Sequence, residues 1–374
     1  MTKLLQIVLI LLFLLQGTNE FNIFVLGLFI LLPVLFLVNK TIVKLPQYYI
    51  LAVLVYFFYL LVGIFHFHEN PFIDIKFQIF SFLFFFWLIN NGLRLDFLDL
   101  LFTINTITFL TYMLLLVNII PNIWNESTIG HGGRLYGPAI TPIIFILFYY
   151  LLFKMTFDKK LVIATIMGVI YIALTTNFMN LAVLVAFLIL LAVNFKKLFK
   201  PIYIVVFILI FLGGLWYLNS SFVPELVSAK MKYIYRPWEY PSLQTRVEDL
   251  SKALHNENFN PFKQVFGEGF GTSTSIYREN KIAPSLSRTF NFQEIDNGFY
   301  YLYHRGGWSL LIIFIISHIF LIFKIKGVKS KLGFVALVFI TNILSIHYFN
   351  YYFYLLIPFF IIYRDSISER LNRI

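Results

Sequence analysis

The chain of 374 residues is 60% apolar, 20% aromatic and only 13% charged, where a soluble globular chain carries about a quarter charged residues. That is not a soluble composition. The net charge of +11 does not point to nucleic acid, because most Lys and Arg sit in short connectors between apolar runs, where they orient membrane insertion. With no cysteine, a disulfide framework and a thiolate metal site are both excluded.

Apolar runs long enough to cross a bilayer as helices recur along the whole chain. They predict an all-α polytopic membrane protein with about twelve spans, at about 4–16, 21–38, 46–65, 72–90, 98–118, 138–153, 161–176, 178–194, 201–218, 306–323, 332–347 and 349–363. The first run lacks a small-x-small cleavage pattern and reads as a retained helix. The whole chain reads as a single integral membrane domain, 1–374, with loops 119–137 and 219–305 on its outer side. Alternating the connectors puts Lys3, Lys40, Lys44, Arg94, Lys154, Lys159, Lys160, Lys196, Lys197 and Lys200 on one side. The cations from Lys324 to Lys331 and those of the C-terminal tail join them. By the excess of cations on the cytoplasmic side, both termini are expected inside and the long Asn219–Asp296 loop outside.

Along the spans, ionisable groups are sparse. His66, His68, Asp74 and Lys76 stand near an outer end, and His318 within a span reads as a packed histidine bonded to a neighbouring helix. Such scarcity argues against an ion-coupled transporter, which places acids and bases inside the bundle. The run Phe80–Trp87 reads as lipid-facing surface.

The first outer loop of chemical interest carries Gly130-His131-Gly132-Gly133-Arg134-Leu135-Tyr136-Gly137. Glycines permit close approach to a ligand, and the Arg134 guanidinium suits either phosphate oxygens or lipid headgroups. The long loop holds nine Lys/Arg and nine Asp/Glu before Asn297, Arg236 among them. In Thr245-Arg246-Val247-Glu248 a capping box predicts a helix start, with Val247, Leu250 and Leu254 as its apolar stripe. That puts Arg246 in the first turn, where the helix dipole disfavours a cation. Its charge there has two readings, a functional one and a bond to Glu248 or Asp249. The segment Gly267-Glu268-Gly269-Phe270-Gly271 resembles a phosphate cradle without its Lys-Ser/Thr ending, so it reads as a tight turn.

The loop closes with Glu294, Asp296 and Asn297, then His304 and Arg305 in a helix entering the membrane. Asp296 and Glu294 are candidate general bases, because partial desolvation readies a carboxylate to take a proton. Asp296 also fits as the cap of that helix. Arg305 is placed to meet a diphosphate or to snorkel to the interface. No His/Asp/Glu cluster with metal-ligand spacing stands in the outer loops, so no metal and no cofactor is expected. Chemistry on the outer face has no nucleotide to draw on, so a transferase there needs a donor already activated on a lipid carrier.

These patches resemble the O-antigen polymerase and O-antigen ligase superfamily. The likeness lies in the predicted topology and in three short elements: Arg134-Leu135-Tyr136-Gly137, Arg246 followed by Gly267–Gly271, and Asp296-Asn297 through Gly306-Gly307. The resemblance implies a bacterial cytoplasmic-membrane glycosyltransferase that joins polyprenyl-diphosphate-linked oligosaccharide repeat units. Undecaprenyl diphosphate is the expected carrier, and capsule or lipopolysaccharide the expected product. It implies Asp296, Glu294, Arg134 and Arg246 as catalytic residues. Tyr136, Arg236, Gly267, Gly269, Asn297, His304 and Arg305 would bind substrate, and membrane lipid and a chain-length regulator would be the partners. Ligases of the family carry His before the Asn, and Asp296 at that position favours the polymerase. The ligase, and a flippase or exporter of lipid-linked sugars, are the alternatives.

Overall fold

Leucine, isoleucine and phenylalanine in uninterrupted runs leave the backbone no partner but itself, and most of this chain is helix. The structure is a computed structural model. It describes residues 2–39, 47–68, 71–74, 94–124, 137–138, 141–154, 158–175, 178–192, 241–256, 260–278, 288–293 and 295–344, with 76, 79, 80, 82–84, 87 and 239 besides. In chain order the helices are α1 (Thr2–Leu15), α2 (Asn19–Asn39), α3 (Gln47–Phe65), α4 (Arg94–Leu116), α5 (Thr141–Tyr149), α6 (Lys159–Thr175) and α7 (Phe178–Ala192). Then come α8 (Pro241–Asn256), α9 (Pro261–Phe266), strands β1 (Thr274–Arg278) and β2 (Arg288–Phe292), and α10 (Gly298–Lys324), α11 (Val328–Val335) and α12 (Thr341–Leu344). A 3-10 turn spans Pro71–Asp74, and π-helical segments follow α5 (Tyr150–Lys154) and join α11 to α12 (Ala336–Ile340).

Helices therefore stand where the apolar runs predict them, except that 201–218 and 349–363 lie outside the described residues and 72–90 is described in part. Among the described residues, two helices are long and apolar enough to cross a membrane, Phe97–Leu116 and Gly298–Lys324. The second is two limbs meeting at Gly307 (φ 57°, ψ −160°). The limb beyond the break is roughly 25 Å long at 1.5 Å per residue.

The chain forms two compact units. The larger comprises Met1–Leu191, Phe259–Thr272 and Gly298–Ile374, the smaller Ala192–Asn258 and Ser273–Asn297. The sequence alone reads as one integral domain.

In the larger unit α5 is the central helix, with every side chain from Ile143 to Leu151 buried. A helix apolar all round belongs in an interior. Phe148 stacks on Phe187 and Phe334, with ring centroids at 6.1 and 6.2 Å. The Phe-rich run belongs to this core too. Phe80, Leu83, Phe84 and Trp87 are buried, and Phe80 and Phe84 pack edge-on against Phe13 of α1. The expectation of a lipid-facing surface is corrected at those positions. His318 is packed as expected, but its Nδ1 pairs with the Phe314 carbonyl of its own helix at 2.7 Å.

The outward side of this unit is apolar in helical rows: Ile23, Leu26 and Ile30 on α2, Ile163, Ile166 and Ile170 on α6, and Ile312, Ile316, Phe320 and Phe323 on α10 are exposed. Soluble monomers rarely leave apolar surface of that kind uncovered.

The smaller unit corrects the all-α expectation. β1 and β2 pair antiparallel, with Ile276 opposite Phe290 and Thr274 opposite Phe292. Ile276 is buried on the inner face, while Ser275, Tyr277 and Asn291 are exposed on the other, the period-two alternation of a half-covered hairpin. Arg278 bridges the hairpin to α8: its Nε donates to Asp249 Oδ1 at 3.1 Å and its Nη2 pairs with Oδ2. The guanidinium also lies 4.7 Å from the Phe292 ring centroid.

Candidate functional site

The Gly-x-Gly-x-Gly turn at 267–271 belongs to the larger unit, wedged between α3 and α10, and glycine is what allows the fit. A Cβ on Gly269 would lie 2.2 Å from the Gly63 nitrogen, one on Gly63 2.1 Å from the Phe270 carbonyl oxygen, and one on Gly267 2.4 Å from the Arg305 carbonyl carbon. These are backbone contacts that no side-chain movement relieves. Gly267 and Gly269 also hold φ of 72° and 88°, which favours glycine. Asn260 caps α9 on the approach, accepting from the Lys263 N–H at 2.8 Å.

The amides of this turn are all engaged. Glu268 N–H donates to the His304 carbonyl at 3.0 Å, Gly269 N–H to the Arg305 carbonyl at 2.8 Å, Phe270 N–H to the Tyr59 carbonyl at 3.1 Å and Gly271 N–H to Asp74 Oδ2 at 2.7 Å. A phosphate cradle needs amides aimed at the ligand. Here they are spent holding two helices together, so Gly267 and Gly269 position the fold.

Beneath the turn lies a buried ion pair. Arg305 Nε is 2.7 Å from Asp74 Oδ2, with the two side chains 2% and 0% exposed. Tyr301 OH donates to Asp74 Oδ1 at 2.8 Å, and the guanidinium carbon lies 3.9 Å from the Tyr301 ring centroid. The expectation that Arg305 meets a diphosphate or snorkels is corrected: its charge is matched inside the protein. His304 is buried beside it and stacked on Tyr300, centroids 5.4 Å apart.

The smaller unit joins two of the predicted catalytic residues. Arg246 Nε is 3.0 Å from Asp296 Oδ2, with side chains 34% and 44% exposed. The helix that carries Arg246 begins at Pro241, so Thr245 is interior and the capping-box start is corrected. Proline opens a helix readily because its missing N–H is not needed there. Arg246 accordingly lies a turn further in, facing Asp296, and Asp249 faces Arg278. That rotation leaves Val247 and Leu254 exposed and buries Ala253, so the predicted apolar stripe is displaced. Asn297, not Asp296, immediately precedes the first helical residue of α10, and its N–H bonds to the Ile295 carbonyl at 2.6 Å.

Arg134, Tyr136, Arg236 and Glu294 lie outside the described residues. Only the ends of the Arg134 loop are described. Trp124 Nε1 donates to the Leu14 carbonyl at 2.7 Å, and Tyr171 OH donates to the Pro138 carbonyl.

Sequence spacing misses one group. His66, His68 and Glu268 present nitrogen and oxygen atoms within 4.8 Å of one another. His-x-His is visible in the chain, but its carboxylate stands two hundred residues away. No family model matches this chain, and neither a curated protein nor a solved structure does.

Proposed function

We propose that this chain is a glycosyltransferase of the bacterial cytoplasmic membrane, with about twelve spans, both termini inside and the 219–305 loop outside. It would polymerise oligosaccharide repeat units carried on polyprenyl diphosphate. The Arg246–Asp296 pair carries the reading: a cation suited to phosphate and a carboxylate able to take a proton, fifty residues apart in sequence, meet at a solvent-reached position. The apolar outer rows of α2, α6 and α10 support the membrane setting.

In this mechanism the hydroxyl at the non-reducing end of one lipid-linked unit attacks the anomeric carbon of the growing chain. Asp296, with Glu294, accepts the hydroxyl proton. The bond from the anomeric carbon to the diphosphate oxygen breaks, and Arg246 with Arg134 stabilises the departing diphosphate. The pairing of Arg246 with Asp296 suggests the order of events. An arriving diphosphate draws the guanidinium away and frees the carboxylate for the acceptor. Direct displacement inverts the anomeric configuration, and no metal takes part. Arg305 is left out because its partner is Asp74.

Purified protein incubated with a lipid-linked repeat unit tests the reading. A ladder of lengths is expected from a polymerase. A single transfer to a terminal acceptor means a ligase, and transbilayer movement without elongation means a flippase.

A further inference from the structure

We propose that His66, His68 and Glu268 bind one divalent transition-metal ion, of the Zn²⁺ class, that clips the end of α3 to the glycine turn. The inference is independent of the glycosyl-transfer reading, because none of these residues is assigned a part in that reaction.

The starting point is a strained residue. After Phe65 the chain closes α3 with two bonds, His68 N–H to the Gly63 carbonyl at 3.2 Å and Phe67 N–H to the Ile64 carbonyl at 3.0 Å. This closure puts its central residue in the left-handed region, where glycine or asparagine normally stands. Here that residue is Phe67, at φ 55°, and its ring is 91% exposed. Packing of the ring does not explain the conformation. What the conformation accomplishes is to turn the imidazoles on either side of it to one point.

At that point His66 Nδ1 is 2.7 Å and His68 Nε2 2.8 Å from the Glu268 carbonyl oxygen. His66 Nδ1 is also 3.8 Å from Glu268 Oε2, and the two rings stand nearly perpendicular, centroids 5.9 Å apart. Glu268 is held from behind. Its N–H is fixed on the His304 carbonyl, and its Oε1 lies 2.7 Å from Lys263 Nζ, which leaves Oε2 as the oxygen nearer the histidines.

Two imidazole nitrogens and a carboxylate oxygen are a zinc-type donor set, with bonds of about 2.0–2.2 Å, and too nitrogen-rich for Ca²⁺ or Mg²⁺. A tetrahedral ion with such bonds needs donors about 3.3 Å apart, whereas His66 Nδ1 stands 3.8 Å from Glu268 Oε2 and all three donors lie within 4.8 Å of one another. Closing on a metal therefore draws the donors together by about half an ångström to at most about one and a half ångström. Binding replaces the protons that the rings share with the carbonyl. The partly exposed cluster leaves a fourth position for water. Lys263 is the built-in competitor, a second cation on the same carboxylate.

The test uses the full chain in detergent, stripped with chelator, equilibrated with Zn²⁺ or with Mg²⁺, dialysed and assayed for bound metal and for melting temperature. One Zn²⁺ per chain and a rise in melting temperature with Zn²⁺ but not Mg²⁺ are expected. The double variant H66A/H68A loses both the metal and the shift. Glu268→Gln, which keeps the carbonyl and the fold, weakens binding. Lys263→Met strengthens it, the sign that a simple hydrogen-bonded cluster does not give. Zn²⁺ retention equal in wild type and E268Q, an equal shift with Mg²⁺, or weaker binding in K263M overturns the proposal.

Discussion

Replacing Asp74 by alanine separates a structural ion pair from a functional one. Asp74 forms an ion pair with Arg305 and accepts from the Gly271 N–H and the Tyr301 hydroxyl, with its side chain fully buried. Removing one member of a buried pair strands the other charge and costs roughly 3–5 kcal/mol. The orphaned Gly271 amide and Tyr301 hydroxyl add to the loss, though not additively. Against a total stability on the order of 5–15 kcal/mol, that is a large fraction. Thermal unfolding and protease resistance of the full chain in detergent measure it, and D74A is expected to melt well below wild type. The companion is the double variant D74L/R305M, which removes both charges. Apolar replacement of a whole buried pair is often neutral or stabilising, so the double variant is expected to recover most of what D74A loses. D74A within about 1 kcal/mol of wild type, or a double variant no better than the single, would refute the assignment of Asp74 and Arg305 to one closed pair.

Three more expectations follow from the geometry. Gly269→Ala places a methyl 2.2 Å from the Gly63 nitrogen at a left-handed φ, and should give protein that is cleaved readily in limited proteolysis. Wild-type resistance would show that the turn is not wedged as described. Phe67→Gly relieves a left-handed conformation that costs a side chain roughly 1–2 kcal/mol. It should raise the melting temperature of metal-free protein, and a fall would show that the ring contributes more than its exposure indicates. Arg246→Ala removes a half-exposed pair worth about 0–1 kcal/mol, so melting should barely change.

How much of this was legible in the sequence depended on which physical signal each feature leaves. Helices α1 to α7 followed from apolar runs bounded by polar connectors. The orientation of those helices did not, because a segment apolar on every face carries no periodic mark of its core side. Phe80 and Phe84, read as lipid-facing, are buried for that reason. The hairpin does leave a mark in the sequence: Thr289-Phe290-Asn291-Phe292 alternates with period two, and Thr274-Ser275-Ile276 is rich in β-branched residues. Pro241 marked the start of α8, but the Thr245–Glu248 capping pattern competed with it. The pairing of Asp74 with Arg305 left no local trace, since its partners lie on segments far apart in the chain. Burial reverses the role chemistry suggests for Arg305, a cation that would suit phosphate in water but matches a carboxylate inside. Arg246 and Asp296 were both singled out by residue type and position, and the structure joins them.

The most direct test of the central claim is the surface glycan of the source cell carrying a deletion of this gene, complemented with wild type, Arg246→Ala or Asp296→Asn. The account predicts long chains with wild type, and a single repeat unit with the deletion and with each variant, at normal protein level. Long chains from cells that make either variant, or from the deletion itself, would contradict it.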